Sequence, residues 1–262
     1  MDLRIQGKVY IVSGGARGIG QGITTRLAEE GAIPVIAGRN EADNLWLVEK
    51  LQQKGLKAGQ VVAELTQPEQ CRIVVEKVTA MFGRIDGVVN NAGVNDGVGL
   101  EKGDYKSFME SLHRNLVHYY LLVHHALPEL KKNIGAILNI TSKTAETGQG
   151  NTSAYAAANG GRNGLTREWA VELLKYRIRV NSIAVAECWT PQYEKWIQTL
   201  SNPESKLKEI TSKIPLENRM TTIDEIGSMA AFLLSPLSSH TTGQIIHVDG
   251  GYVHLDRALA NA

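Results

Sequence analysis

The chain has 262 residues, 43% of them apolar, and 28 Lys+Arg against 27 Asp+Glu. That is apolar material for one large α/β domain with a real core, while a net charge of +1 gives nucleic acid or an anionic membrane nothing to steer by. Its two cysteines, Cys71 and Cys188, stand far apart without metal-type spacing, which argues against a disulfide scaffold or zinc site and suits a reducing cytoplasm.

The opening "MDLRIQGKVYIV" lacks a long apolar stretch ending in a small-residue cleavage site, so no signal peptide is expected. No apolar run approaches the length of a bilayer span, and no membrane partner is expected. Lys8–Ser13 reads as a buried strand. "VSGGARGIGQG" follows it and opens a helix over Gly20–Gly31. Its Gly14, Gly18 and Gly20 follow a GxxxGxG spacing, which lets backbone N–H groups approach a pyrophosphate at a helix N-terminus. An ordinary strand–helix turn has similar composition, so the context of strand, turn and helix carries the reading. The next strand, Ile33–Gly38, ends in "IAGRN" with no acid before Glu41. An acid there would serve the ribose 2′-OH of NAD. Arg39, with Arg17 from the glycine turn, suits a 2′-phosphate instead, because a guanidinium pairs bidentately with phosphate oxygens. NADP is the expected cofactor, with NAD the alternative; solvated surface charge is the competing reading of both arginines.

Further strands are predicted at Gly59–Leu65, Gly87–Gly93, Gly135–Ser142, Ile178–Val185 and Gln244–Gly250, with helical patterns between them. The alternation implies βαβ units and a parallel sheet in one domain over 1–262. Trp189–Pro215, rich in Trp, Tyr, Asn and Pro, interrupts the pattern and is the expected substrate lid, about 189–215. In "SAYAAANGGRNG", Tyr155, Asn159 and Arg162 fall at i, i+4 and i+7 on one helix face. Helical side chains lean towards the N-terminus, so Arg162 has the reach to lie under Asn159; a structural contact competes with that reading. His124 and His125 are adjacent and point apart on a helix, which offers no metal site.

Taken together, "GGARGIG", "NNAG" (Asn90–Gly93), "RNL" (Arg114–Leu116), "ITS" ending at Ser142, Tyr155, "RVN" (Arg179–Asn181) and "TTGQIIHVDGGY" (Thr241–Tyr252) closely resemble the short-chain dehydrogenase/reductase family. Within it, "NNAGVNDGVGLE", "SKTAETGQGNTSAY", "LTREWAVEL" and "GGYVHLDRAL" look like the bacterial L-fucose dehydrogenase-like members. The resemblance implies a doubly wound Rossmann-like sheet of seven mainly parallel strands with helices on both faces. It also implies a nicotinamide cofactor, a small-molecule sugar substrate oxidised at its anomeric carbon, and a homotetramer. A carbonyl or 3-oxoacyl reductase is the alternative enzyme, and a non-catalytic cofactor-binding homologue the alternative to an enzyme.

The family's catalytic tetrad of Asn, Ser, Tyr and Lys maps onto Asn115, Ser142, Tyr155 and Asn159, so the lysine is absent. The resemblance makes Tyr155 the acid–base, Ser142 a hydrogen-bond partner of the reacting oxygen, and Asn115 the holder of a relay water. Asn159 is suited to a ribose contact, since an amide donates and accepts, but brings no charge. An unperturbed tyrosine titrates near pH ~10, so loss of the full lysine assistance would cost up to about 4 kcal/mol. The implied cofactor set is Gly14, Arg17, Gly18, Ile19, Gly20, Arg39, Glu64, Leu65, Asn91, Ala92, Gly93, Tyr155, Asn159, Cys188 and Thr190. The candidate substrate contacts are Asn95, Gln149, Glu187, Trp189 and Trp196. Ordinary turn chemistry competes for the polar ones and lid packing for the tryptophans. His254, Asp256 and Arg257 follow the last strand in a tail suited to a subunit interface.

Overall fold

A computed structural model describes residues 2–255 of the chain. Asp256 and Arg257 lie outside the described residues. Seven strands form a single sheet: β1 Val9–Ser13, β2 Ile33–Gly38, β3 Gly59–Val62, β4 Gly87–Asn90, β5 Ala136–Ser142, β6 Arg179–Val185 and β7 Ile245–Val248. Their order is β3-β2-β1-β4-β5-β6-β7, and every neighbouring pair is parallel. The chain runs outward from β1 in one direction and from β4 in the other. This makes the β1/β4 boundary a topological switch point, where such sheets bind ligands beyond their strand ends.

Three strands end before their sequence patterns do, each for a visible reason. Beyond β3, the Glu64 carboxylate accepts hydrogen bonds from the N–H and hydroxyl of Thr66, which turns the chain out of the sheet. Beyond β4, Asn91 donates its side-chain amide to the carbonyls of Ser13 and Gly14. Beyond β7, the Asp249 carboxylate takes the N–H groups of Gly251 and Val253.

The helices are α1 Gly18–Glu29, α2 Glu41–Gln53, α3 Pro68–Phe82, α4 Tyr105–Leu112, α5 His118–Asn133, α6 Ser153–Glu172, α7 Pro191–Ile197, α8 Pro203–Thr211 and α9 Ile223–Leu234. Strand alternation divides the core. Val9 and Ile11 of β1 pack with Val74 of α3, Leu122 of α5 and Trp169 of α6. Tyr10 and Val12 face the other way, towards Ile23 of α1 and Ala230 of α9. Leu47, Val48 and Leu51 close α2 onto Ile36. Helices therefore cover both faces, which explains the unbroken burial of β1 and β4. The expected interruption at 189–215 contains the short helices α7 and α8.

Candidate active site

The turn from β1 to α1 is built from backbone. Gly14 and Gly18 adopt φ of 62° and 54°, in the left-handed region that favours glycine. Arg17 begins α1 without a side-chain cap, and the first turn contains no acid. The opening N–H groups, those of Gly18, Ile19 and Gly20, are thus left for an anion at the positive end of the helix. A Cβ on Gly20 would collide with the Gly14 carbonyl and approach Asn91 Nδ2 to 2.6 Å, so only glycine holds the turn this tight. Asn91 and Ala92 donate their N–H groups to Ser13 Oγ, tying the segment after β4 to the end of β1. Thr190 caps α7 and lies 3.4 Å from the Cβ position of Gly18. Cys188 is buried behind it, and burial pushes its thiol up to about 12. The uncapped N–H groups and the glycine cradle fit the phosphates of a nicotinamide dinucleotide.

Beyond β2 the two expected arginines already face carboxylates. Arg17 Nη2 lies 2.6 Å from Asp43 Oδ1, and Arg39 Nη1 lies 3.5 Å from Glu64 Oε2. Their side chains are 63% and 82% exposed, so water screens both pairs and a phosphate can compete for them. Leu65 is buried in the core beside them.

The tetrad positions are assembled by three elements. A π-helical turn, His113–Val117, joins α4 to α5 and carries Asn115. Such bulges displace one side chain from the regular helical face. Asn115 is fully buried; its Oδ1 accepts from Val94 N at 2.8 Å and its Nδ2 donates to Ser111 O at 3.0 Å. Ser142 ends β5, with its Oγ accepting from Thr144 N at 3.3 Å. Tyr155, in the first turn of α6, is half-buried. Asn159 is fully buried: Nδ2 donates to the Tyr155 carbonyl at 2.8 Å, while Oδ1 accepts from Arg162 Nη1 at 2.9 Å and Thr141 Oγ1 at 3.4 Å. An amide so engaged needs another rotamer to meet a ribose.

Arg162 is the centre of this arrangement. It is 3% exposed; its Nε donates to Asn115 O at 2.7 Å and its Nη1 to Ile140 O at 3.1 Å. The guanidinium lies 4.3 Å from the Tyr119 ring centroid. A Cβ at Gly93 would stand 2.8 Å from Nη2, so the "NNAG" glycine makes room for it. No carboxylate pairs with Arg162 among the described residues; carbonyl oxygens and an aromatic face hold its charge. Its field reaches its neighbours. Burial, then Arg162, holds His118 down to about 4. Burial pushes Tyr119 up to about 12, with Arg162 opposing.

Just past the ends of β5 and β6, Lys143 and Glu187 form an ion pair with side chains only 10% and 14% exposed. Lys143 also lies 4.2 Å from the Tyr252 ring centroid. Tyr193 is pushed up by burial and then by the Glu187 carboxylate, which keeps its phenol protonated. Trp189, Tyr193 and Trp196 form a chain of ring contacts, 6.2 Å and then 5.1 Å between centroids. Asn95 and Gln149 are exposed, and Asn95 Oδ1 accepts from Gly97 N in its own loop. The sequence pattern points to Glu187 alone and leaves its pairing with Lys143 unannounced. The signal lay in register: Ser142 pairs with Val185, so the residues just past both strands become neighbours.

A family model described as enoyl-(acyl carrier protein) reductase matches residues 14–253. The 3-oxoacyl-[acyl-carrier-protein] reductase FabG of Thermotoga maritima is 36% identical over 253 residues, covering 96% of this chain and 100% of that protein. L-fucose dehydrogenase of Bos taurus is 34% identical over 252 residues, 96% of this chain and 91% of the relative. The crystal structure of Cj0485 dehydrogenase matches with a TM-score of 0.94 and 48% identity, covering 98% of each chain.

Proposed function

Because this chain belongs to the short-chain dehydrogenase/reductase family, and is therefore an NAD(P)-dependent oxidoreductase of CH–OH groups, we propose that it oxidises L-fucose or a related aldose at the anomeric carbon, with NADP as cofactor. The observation that carries the sugar reading is the Lys143–Glu187 pair, with Tyr252 against the lysine, Tyr193 against the glutamate and Trp189 beside Tyr193. Paired charges give hydroxyl groups donors and acceptors, and aromatic faces suit the C–H surface of a sugar ring. An acyl chain gains nothing from such a pair.

In this reading the N–H groups of Gly18, Ile19 and Gly20 hold the diphosphate, and Arg17 and Arg39 take the 2′-phosphate. Cys188 backbone and Thr190 stand beside the carboxamide. An oxidised nicotinamide held there would supply the hydride acceptor. Tyr155 takes the proton of the anomeric hydroxyl as the C–H hydride leaves, and a lactone results. Ser142 steadies the reacting oxygen, and Asn115, held by Val94 and Ser111, keeps its place in the proton relay. Asn159 stands where the family has lysine, and the cation beneath the tetrad is Arg162, one turn further along α6. The reading includes a cytoplasmic homotetramer. Among the described residues no helix is long and apolar enough to cross a membrane, and the β7 edge leaves Ile245, Ile246 and Val248 half-exposed for a neighbouring subunit.

The likeness to FabG over nearly the whole chain supports a second reading, reduction of a 3-oxoacyl substrate. An aldose panel assayed with NADP and NAD from neutral to alkaline pH separates the two. The expected result is lactone formation, faster with NADP and rising towards alkaline pH. Turnover of a 3-oxoacyl thioester with none of any aldose would overturn the sugar reading.

A further inference from the structure

Three chain segments distant in sequence bring two histidines and a carboxylate together beside the active site. Glu146 follows the short 3₁₀ turn Lys143–Ala145 after β5. His247 lies in β7, and His254 in the turn beyond it. His247 Nε2 is 3.1 Å from Glu146 Oε2, and the rings of His247 and His254 stand 4.3 Å apart between centroids. One donor atom from each of the three lies within 4.8 Å of the others, the one such group of His, Cys, Asp and Glu among the described residues.

We propose that Glu146, His247 and His254 bind one divalent transition-metal ion of the zinc class, which clasps the segment after β7 to the loop after β5. Two imidazoles and a carboxylate are a donor set that zinc accepts, with water completing the fourth position. In a tetrahedral site with bonds of roughly 2.0–2.2 Å, neighbouring donors sit about 3.3–3.6 Å apart. The Glu146–His247 edge is already close to that separation, and the remaining donors need only small side-chain rotations.

The backbone holds each donor in place. Glu146 N donates to Lys143 O at 2.9 Å, and His247 is registered against Ala184 of β6. The turn carrying His254 is braced by the Asp249 carboxylate on Gly251 N and Val253 N, and by Leu255 N on Gly251 O. Glu146 and His254 are exposed, so an ion can enter from solvent. The nearby ammonium of Lys143 is engaged by Glu187. Both thiols are poor competitors, since Cys71 and Cys188 are buried and burial pushes them up to about 11 and about 12.

The two segments so joined also carry Lys143 and Tyr252, which stack across the same gap. The ion thus ties the C-terminal turn to the wall of the Lys143–Glu187 pair and takes no part in hydride transfer.

The test is calorimetric titration of Zn2+ into the full chain, the single variants Glu146→Gln and His254→Ala, and a His124→Ala control. One ion per chain is expected for the unmodified protein, with at least tenfold weaker binding to the first two variants and no change in the control. Melting temperatures in EDTA should match for all four, which separates ligand loss from misfolding. Proteolysis of the segment after β7 should slow with Zn2+ in the unmodified protein and not in His254→Ala. The site is overturned if His254→Ala titrates like the unmodified chain, or if His124→Ala abolishes binding. The clasp is overturned if proteolysis is indifferent to Zn2+.

Discussion

At the turn between β1 and α1, the helix opens with no side-chain cap and no acid. At the inner face of α6, nearly every polar group already has a partner inside the protein. The first region offers backbone donors to a charge that comes from outside. The second encloses a charge of its own, the Arg162 guanidinium, and satisfies it with carbonyl oxygens. Damage to the turn should therefore cost ligand affinity and leave the fold intact, whereas damage to α6 should cost stability and chemistry together.

Tyr155 belongs to α6 yet is only half-buried, so it breaks that rule most informatively. Tyr155→Phe is expected to lower kcat by about 10³-fold with an unchanged melting temperature, the scale of a lost general acid–base. A variant with near-normal turnover would remove Tyr155 from the reaction.

Arg162→Met follows. It strips the Asn115 carbonyl of its side-chain donor and removes one of two donors from the Ile140 carbonyl, which keeps Tyr119 Oη, and from Asn159 Oδ1, which keeps Thr141 Oγ1; an acceptor left unsatisfied costs about 1–3 kcal/mol, and the buried contacts of the guanidinium are lost besides. A loss of roughly 3 kcal/mol or more in unfolding free energy is expected, together with lower activity; Arg162→Lys should recover part of both. Asn159→Lys sharpens the same point. In the unmodified background it sets a second cation against a guanidinium now 2.9 Å from Asn159 Oδ1, so it should destabilise. Combined with Arg162→Met it should do better than the two single variants predict, and a double-mutant cycle by thermal unfolding reads the coupling.

His118 tests a group held neutral beside the enclosed charge, by burial first and by Arg162 second. Its folded value of about 4 lies below the ordinary 6.5. The unfolded chain then binds more protons between those values, so this contribution is complete above about pH 6.5 and is lost as pH falls towards 4, on the order of 3 kcal/mol. His118→Asn should flatten denaturation midpoints across that window; an unaltered profile would deny His118 its part.

Gly20→Val is expected to have the smallest effect and to fall on the other side of the comparison. Its side chain pushes the Gly14 carbonyl and Asn91 aside and distorts the turn, so cofactor affinity should fall about 100-fold, roughly 2.7 kcal/mol, with near-normal secondary structure by circular dichroism. Equal losses of fold and affinity would show that the turn is not separable from the core.

The readable parts of the sequence share a cause. All seven strands announce themselves by apolar runs, and the glycine turn by spacing, because both depend on neighbours along the chain. β2 occupies the predicted Ile33–Gly38, and the strands that stop early do so where Glu64, Asn91 and Asp249 turn the chain with side-chain hydrogen bonds. Spacing also placed Asn159 and Arg162 on one face of α6, since helical geometry requires it.

The tertiary structure decided what those residues touch. Whether Arg162 found a carboxylate, solvent or the carbonyls of Asn115 and Ile140 depended on where a π-helical turn and β5 arrived. Lys143 meets Glu187 because β5 and β6 run side by side. Glu146, His247 and His254 converge only once β7 is in place at the edge of the sheet. Apolar periodicity determines the elements through local geometry, while partnerships between groups tens of residues apart are set by packing, which no local pattern encodes.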